Sequence, residues 1–308
     1  MEREKKSGKT IAILGPGGIG GFLAALFCRA GLKVSCIYAS KEEAEKARET
    51  GLALESDKFG IIKSFPETCD FLNFEPDYLF VTVKAPFLKS ALEKIRPENT
   101  RNSIVIPLLN GCEHIQIIRD YLGPCVAVGM IGGIEAKKIS GNGVSANALN
   151  AHIKIASKDI SDSALQGLLL LLNEAGIPTE IMENEEAVVW QKLARLNAIA
   201  CATAATNMPI SYARQNKEWR EKIKECVREA VAVAKTQNVV NLDAEKIISE
   251  IDRVPEGQTT SMQRDLVAGN ESELDAIPGA ILRLGKKNGI PCPAIEYFLN
   301  CIKEKYGR

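Results

Sequence analysis

The sequence predicts an α/β domain built on a parallel sheet, followed by an all-α domain. Three observations carry that expectation. Short apolar, β-branched runs alternate with helix-like segments through the first half, the pattern of strands joined by crossover helices. The alternation stops near residue 183, and only helical periodicity follows. A glycine-rich turn, Gly15-Pro16-Gly17-Gly18-Ile19-Gly20, joins the first strand-like run to the first helix-like segment.

In chain order, Ile11–Leu14 is a short strand and residues 19–30 read as a helix. "KVSCIY" is a second strand, and "SKEEAEKARET" a charged helix. "DYLFVTVKA", "SIVIPLLN" and "CVAVGMIGG" are further buried strands. Around "GNGVSANALNAHIKIAS" the alternation gives way to a hairpin, expected to extend the sheet at its edge. Beyond it, "ENEEAVVWQKLARLNAIACATAA", "KEWREKIKECVREAVAVAKTQ" and "ESELDAIPGAILRLGKKNG" carry helical spacing. The boundary is placed between residues 182 and 183, giving domains 1–182 and 183–308. No low-complexity linker separates them, so a cleft between the two is the expected active site.

Bulk properties narrow the function. The 308 residues carry 39 basic and 39 acidic side chains, a formal net charge of zero. That balance supplies no field for nucleic acid or acidic lipid, and aromatic residues, at 6%, are not interleaved with basic ones. The longest leucine run, Leu168–Leu172, is too short to span a bilayer. The N-terminal "MEREKKSGKT" is basic but precedes only four apolar residues, which argues against a signal peptide. Nine scattered cysteines, without C-x-x-C spacing, read as reduced thiols of a cytoplasmic protein. Cys112, beside an apparent turn, is the one with a prospect of reactivity. With two histidines, His114 and His152, a histidine metal site is poorly supplied.

The glycine turn is the G-x-G-x-x-G pattern in its required setting, after a strand and opening a helix. Gly15 permits the tight turn, Gly17 lets the backbone approach a pyrophosphate, and Gly20 lets helix and strand pack closely. The helix N-terminus, with Gly18 and Ile19, offers N–H groups and a positive dipole end to phosphate. An NAD enzyme usually has an acidic residue after the second strand. Here that region reads Tyr38-Ala39-Ser40-Lys41, with no acid before Glu42. Ser40 and Lys41 suit a 2′-phosphate, which favours NADP(H); Lys41 could equally begin a solvated helix.

Lys84 and Asn110 fall at the carboxyl ends of buried strands, where ligands of open α/β sheets bind. Asn110-Gly111 is also a turn signal. In the helical half, Lys192 shares helical spacing with Val188, Val189, Leu196 and Ile199, which puts it on an apolar face. Such a lysine either snorkels to water or is desolvated, with a depressed pKa suited to proton transfer. Glu273 is a second candidate, although Asn270-Glu271-Ser272-Glu273 also resembles a capping box. Ser261 reads as a helix start.

The segments "GPGGIGG", "VTVKAPFL", "LLNGCEH", "VVWQKLARLN" and above all "TTSMQRDLVAGNESELDAIPGAIL…NGIPCP" resemble the ketopantoate reductase family over nearly the whole chain. The resemblance implies a Rossmann-type domain plus a helical domain like the C-terminal one of 6-phosphogluconate dehydrogenase. It implies NADPH-dependent reduction of a 2-keto acid, ketopantoate, in pantothenate biosynthesis. Lys192 then matches the general acid that protonates the carbonyl oxygen. Glu273 matches the glutamate that holds the substrate hydroxyl, and Ser261 the serine that binds its carboxylate. Asn110 matches an asparagine near nicotinamide and substrate, and Lys84 a lysine that reaches the cofactor.

Some positions depart from the family pattern. Asparagines expected four and eight residues after the lysine are replaced by Leu196 and Ala200. Asn197 lies one residue late, turned about 140° from Lys192 in a regular helix, so a substrate-facing Asn197 requires a one-residue bulge. Gln258 stands where an asparagine is usual, and Ala39 near the position of an arginine. These changes bear on the substrate, so a paralogous reductase of another 2-keto acid is the alternative within enzymes. A non-catalytic NADP-binding sensor is the alternative outside them; retention of both Lys192 and Glu273 argues against it. The helical half could carry a homodimer face, though no surface in the sequence identifies one.

Overall fold

The computed structural model describes residues 8–307; the basic stretch through Ser7, read above for targeting, lies outside the described residues. The chain forms two compact units, Met1–Leu109 with His114–Val188, and Asn110–Glu113 with Val189–Arg308.

The first unit contains β1 (Thr10–Leu14), α1 (Gly18–Arg29), β2 (Lys33–Ile37), α2 (Lys41–Thr50), β3 (Leu52–Ser56), β4 (Gly60–Ser64), β5 (Glu67–Cys69) and β6 (Tyr78–Val81). Then come α3 (Leu88–Leu92), β7 (Ile104–Pro107), α4 (His114–Leu122), β8 (Val128–Gly132), β9 (Glu135–Ile139), β10 (Gly143–Asn147), β11 (His152–Ala156), α5 (Asp162–Glu174) and β12 (Thr179–Ile181). The main sheet is fully parallel, in the order β5-β2-β1-β6-β7. The chain runs outward from β1 in one direction, then returns to β6 on the other side. The point where it reverses, between β1 and β6, is where ligands of such sheets bind.

Two short strands absent from the sequence reading, β3 and β4, join the β9–β10 hairpin in a separate four-stranded sheet, β4-β3-β10-β9. The hairpin was expected to extend the edge of the main sheet. Instead β10 pairs with β3, and β11 pairs antiparallel with β8 in a third sheet that also holds β12. α1 explains the arrangement. It is buried from Gly20 to Phe27, and a helix apolar all round needs cover on more than one side. Phe27 meets Phe80 of the main sheet at 5.1 Å between ring centroids. On the side of the small sheet, a Cβ on Gly21 would lie 2.6 Å from Val144, and one on Gly18 would lie 2.4 Å from the Ala136 carbonyl oxygen. Only glycine permits that approach.

The second unit is helical: α6 (Glu185–Thr206, its first turn within the first unit), α7 (Ile210–Gln215), α8 (Lys217–Lys235), α9 (Ala244–Asp252), α10 (Ser261–Val267), α11 (Ala280–Lys287) and α12 (Pro293–Tyr306). α6 is buried almost all round, with Ala194, Ala198, Ala200, Ala202 and Ala204 wholly buried. Small side chains let neighbouring helices approach closely. α8 presents Ile223, Cys226, Val227, Ala230, Val231 and Ala234 as one apolar stripe. The first turn of α12 is held by Glu229, whose carboxylate accepts from the backbone N–H groups of Ala294 and Ile295 at 2.7 and 2.9 Å. Among the described residues no helix is long and apolar enough to cross a membrane.

Candidate active site

The glycine turn of the first unit lies at the reversal point of the main sheet. Gly15 follows β1 with φ of +84°, and a Cβ there would fall 2.4 Å from Val83, just past the end of β6. Thr82 Oγ1 donates to the carbonyl oxygens of Leu14 and Gly15 at 3.1 and 2.8 Å, fastening the turn to β6. A Cβ on Gly20 would lie 2.4 Å from both Gly15 O and Thr82 Oγ1. Gly17 differs: a Cβ there would meet nothing within 4 Å, and no side chain caps α1. Open space therefore faces the positive end of α1, a setting that suits a pyrophosphate. Gly20→Ala is expected to weaken nucleotide binding and lower the melting temperature together, since the added methyl meets backbone. Binding and thermal melting that both stay at parental values would contradict this packing.

Ser40 and Lys41 lie at the start of α2. Ser40 is the N-cap, its Oγ accepting from Glu43 N at 3.2 Å. The Lys41 side chain is 79% exposed and reaches Glu45 only at 3.8 Å. Lys84 is exposed, three residues past β6, at the cap of a short 3₁₀ turn.

The remaining candidates belong to the second unit. Lys192 was expected on the apolar face of its helix. α6 is instead buried on nearly every side, and Lys192, Arg195 and Leu196 form the strip left partly open, beside exposed Gln191. Burial is still the dominant influence on Lys192. It pushes the ammonium down to about 8, helped by the neighbouring cation Arg195 and opposed by the carboxylate of Glu273. Glu273 is 5% exposed and accepts from Asn110 Nδ2 at 2.9 Å. Lys192, Glu273 and Asn110, far apart in sequence, thus form one electrostatic cluster. The capping box suggested for Asn270–Glu273 is not formed, because the helical turn begins at Asp275 with Leu274 at its cap.

Asn197 is a correction. α6 runs unbroken from Glu185 to Thr206, with no bulge to bring that side chain round. Asn197 is fully buried, donates to Cys226 Sγ of α8 at 3.2 Å and accepts from Cys201 Sγ at 3.5 Å. It satisfies the helix interface and is not available to substrate. Cys112 is a second correction: burial, with a smaller push from Glu113, raises its thiol to about 12, so it is not a reactive thiolate.

Ser261 is the exposed first residue of α10. The cap is Thr260, whose Oγ1 accepts from Gln263 N at 3.2 Å and lies 3.0 Å from Thr203 Oγ1 on α6. Thr203 lies eleven residues, about three helical turns, beyond Lys192. The helix face that carries Lys192 thereby also anchors the turn that carries Ser261. Gln258, for its part, donates to the Thr259 carbonyl at 2.9 Å. Arg195 was missed in the sequence reading. Its spacing of three residues from Lys192 was the available signal. No group of histidines, cysteines and carboxylates among the described residues could hold a metal ion.

Comparison with known proteins agrees across the chain. The family model described as "Ketopantoate reductase PanE/ApbA" matches residues 11–159, and "Ketopantoate reductase PanE/ApbA C terminal" matches residues 184–306. A 2-dehydropantoate 2-reductase of Lactococcus lactis subsp. lactis (strain IL1403) is 24% identical over 315 residues, covering 96% of this chain and 97% of its own length. The crystal structure of a PanE/ApbA family ketopantoate reductase from Ralstonia eutropha JMP134 matches with a TM-score of 0.87 at 24% identity, covering 97% of this chain and 100% of that one. A D-mandelate dehydrogenase, solved as a ternary complex with NADH and anilino(oxo)acetate, also matches with a TM-score of 0.87, at 20% identity, covering 97% of this chain and 98% of that one. The fold is that of ketopantoate reductases, a Rossmann-like parallel-sheet domain with a helical C-terminal domain. The chain is an oxidoreductase of the ketopantoate reductase family.

Proposed function

We propose that the protein reduces 2-dehydropantoate to pantoate with NADPH, in the cytoplasm, as a step of pantothenate biosynthesis. The observation that carries this reading is Lys192, an ammonium pushed to about 8 by burial beside a carboxylate that is itself held by an asparagine. A reduced nicotinamide, when bound, supplies the hydride. The open space in front of Gly17 and the uncapped end of α1 fit its pyrophosphate, and Ser40 with exposed Lys41 suits a 2′-phosphate. All nine cysteines are free thiols, as a reducing compartment favours.

Lys192 donates a proton from Nζ to the keto oxygen as negative charge builds there, stabilising the developing alkoxide and neutralising it. A pKa close to the working pH makes that transfer efficient and lets the amine be reprotonated between turnovers. Glu273 keeps the ammonium from being lost altogether in its buried setting. Asn110 holds the Glu273 carboxylate through one oxygen, and Glu273 is assigned the substrate hydroxyl. Arg195, three residues along α6 from Lys192, and Ser261, by its match to the family, are assigned to the substrate carboxylate. Lys192, Arg195 and Glu273 sum to one positive charge, which a monocarboxylate balances.

A second reading is favoured by one observation. With Asn197 in the core and Leu196 on the partly open strip, the site has fewer amides than the family pattern supplies. A 2-keto acid with an apolar side chain and no hydroxyl would suit it better. The D-mandelate dehydrogenase neighbour, held with an oxo acid analogue, belongs to that chemical class.

The test is steady-state oxidation of NADPH, and in parallel of NADH, with 2-dehydropantoate, pyruvate, 2-ketoisovalerate, 2-ketoisocaproate and phenylglyoxylate. Turnover with 2-dehydropantoate far above the others supports the first reading. Turnover confined to another keto acid supports the second, and none with any of them contradicts both. The pH dependence has a definite sign. The reactive form of Lys192 is the ammonium, present below about 8. Reductive kcat/KM is therefore expected to be level at neutral pH and to fall as pH rises through about 8. A profile level to pH ~10, near the ordinary lysine value, would show that no group titrating near 8 donates the proton.

A further inference from the structure

Arg283 lies outside the cluster just described, yet it is the most heavily engaged cation among the described residues. Its Nε and Nη2 donate to the two carboxylate oxygens of Glu113 at 2.9 and 2.6 Å. Its Nη1 donates to Asp275 Oδ1 at 2.6 Å, and Nη2 also reaches the Asp275 carbonyl at 3.0 Å. The two carboxylates come from different places. Glu113 ends the short segment Asn110–Glu113, which follows β7 in the chain and belongs to the helical unit. Asp275 opens the turn two residues after Glu273.

That turn is irregular for a visible reason. Residues Asp275–Gly279 form a π-helical turn with Pro278 inside it. Proline has no N–H to give to the Leu274 carbonyl, so the bond passes to the next residue, Gly279 N, at 3.2 Å. Glu273 sits at the mouth of this turn, where a regular helix would not by itself fix the side chain. The segment 110–113 meets the turn and its two flanks at three points. Asn110 bonds Glu273 at 2.9 Å. Gly111, at φ +92°, approaches so closely that a Cβ would lie 2.4 Å from the Ala276 carbonyl oxygen. Glu113 is gripped by Arg283.

We propose that Arg283 is a positioning residue: through Glu113 and Asp275 it fastens the 110–113 segment to the π turn and so keeps Asn110 and Glu273 set against Lys192. The inference rests on the role proposed for Lys192. Arg283 and Glu113 are both more than 40% exposed, where an ion pair contributes little to stability. Its fork geometry still imposes direction, because three nitrogens bind two carboxylates at once. An anchor of this kind aligns more than it stabilises.

The charged groups that act on Lys192 are Glu273, which raises its proton affinity, and Arg195, which lowers it. If the clamp loosens, Glu273 drifts and the first influence weakens, so the Lys192 titration moves to lower pH. The test compares the parent with Glu113→Gln and Arg283→Lys, each close in size to the original. The proteins carry 13C at lysine Cε, and the Lys192 resonance is assigned from its loss in Lys192→Arg. The parent midpoint is expected near 8, and both variants are expected to titrate lower by about half a pH unit or more. With 2-dehydropantoate and NADPH, kcat should fall several-fold while KM for NADPH and the melting temperature stay unchanged. Variants that titrate and turn over like the parent would overturn the clamp and leave the reading of Lys192 intact. A parent lysine titrating at its ordinary value would overturn both. Should Arg283→Lys fail to fold, Glu113→Gln alone decides the matter.

Discussion

Replacing Lys192 with alanine is expected to lower turnover by about 10²–10⁴-fold, the range a positioned general acid contributes. Nicotinamide binding, measured by fluorescence titration, should stay within a few-fold of the parent, because the glycine turn is left untouched. The loss should fall on kcat more than on KM, since the proton is needed most when charge develops on oxygen. Misfolding does not explain the expected loss. Burial holds the Lys192 ammonium at about 8 against an ordinary 10.5, so a charged lysine there opposes folding at neutral pH. The sign follows from proton binding. Between those two values the unfolded chain binds the proton more tightly, so stability rises with pH across that interval. An uncharged residue relieves that penalty but leaves the buried Glu273 carboxylate with one cation fewer, so the variant should melt near the parent temperature. Catalysis surviving within a few-fold would mean that Lys192 only packs its methylenes.

Replacing Arg119 with methionine is expected to destabilise the protein by about 3–5 kcal/mol, the loss typical when one member of a buried charge group is removed. Arg119 donates from Nε to Asp159 at 2.8 Å and from Nη2 to Glu185 at 2.5 Å. The three side chains are 11%, 9% and 7% exposed. Glu185 also accepts from Lys158 N at 2.9 Å. One guanidinium therefore serves two carboxylates on α6 and on the loop before α5. Without it, two negative charges would face each other in a poorly solvated site. Urea denaturation measures the difference. A loss below about 1 kcal/mol, the scale of exposed pairs, would show that water reaches the group.

Local signals made much of this protein legible. The glycine turn and the strands that flank it are runs of adjacent residues, and they emerge in the structure as read. β3 and β4 escaped because each is five residues long and neither alternates cleanly. β4 pairs only with β3, and the other partner of β3 is β10, some ninety residues on, a pairing that no local pattern announces. α1 carried an overlooked hint, since a helix apolar on all sides requires a layer on each. The π turn was hidden because its cause, Pro278, sits in otherwise helical spacing.

The site follows the same division. Lys192 is visible as a basic residue in an apolar segment, and burial is the largest influence on it. α6 is buried almost all round, so counting apolar neighbours could not separate the wall from the opening. Asn197 was placed by analogy, and the regular pitch of the helix decided against it. The Asn110–Glu273 contact joins residues 163 positions apart, and the Arg283–Glu113 contact residues 170 apart. Side chains so distant are matched by the fold alone.

The most direct test of the account is a crystal structure of the ternary complex with NADP⁺ and pantoate, or with the product of whichever keto acid the enzyme turns over. The account predicts Lys192 Nζ within about 3 Å of the product hydroxyl that was the keto oxygen, the reach a proton donor needs. With pantoate it also predicts Glu273, held by Asn110, beside the other hydroxyl of the product. A product bound elsewhere, or Lys192 turned to solvent with another donor at that oxygen, would contradict it.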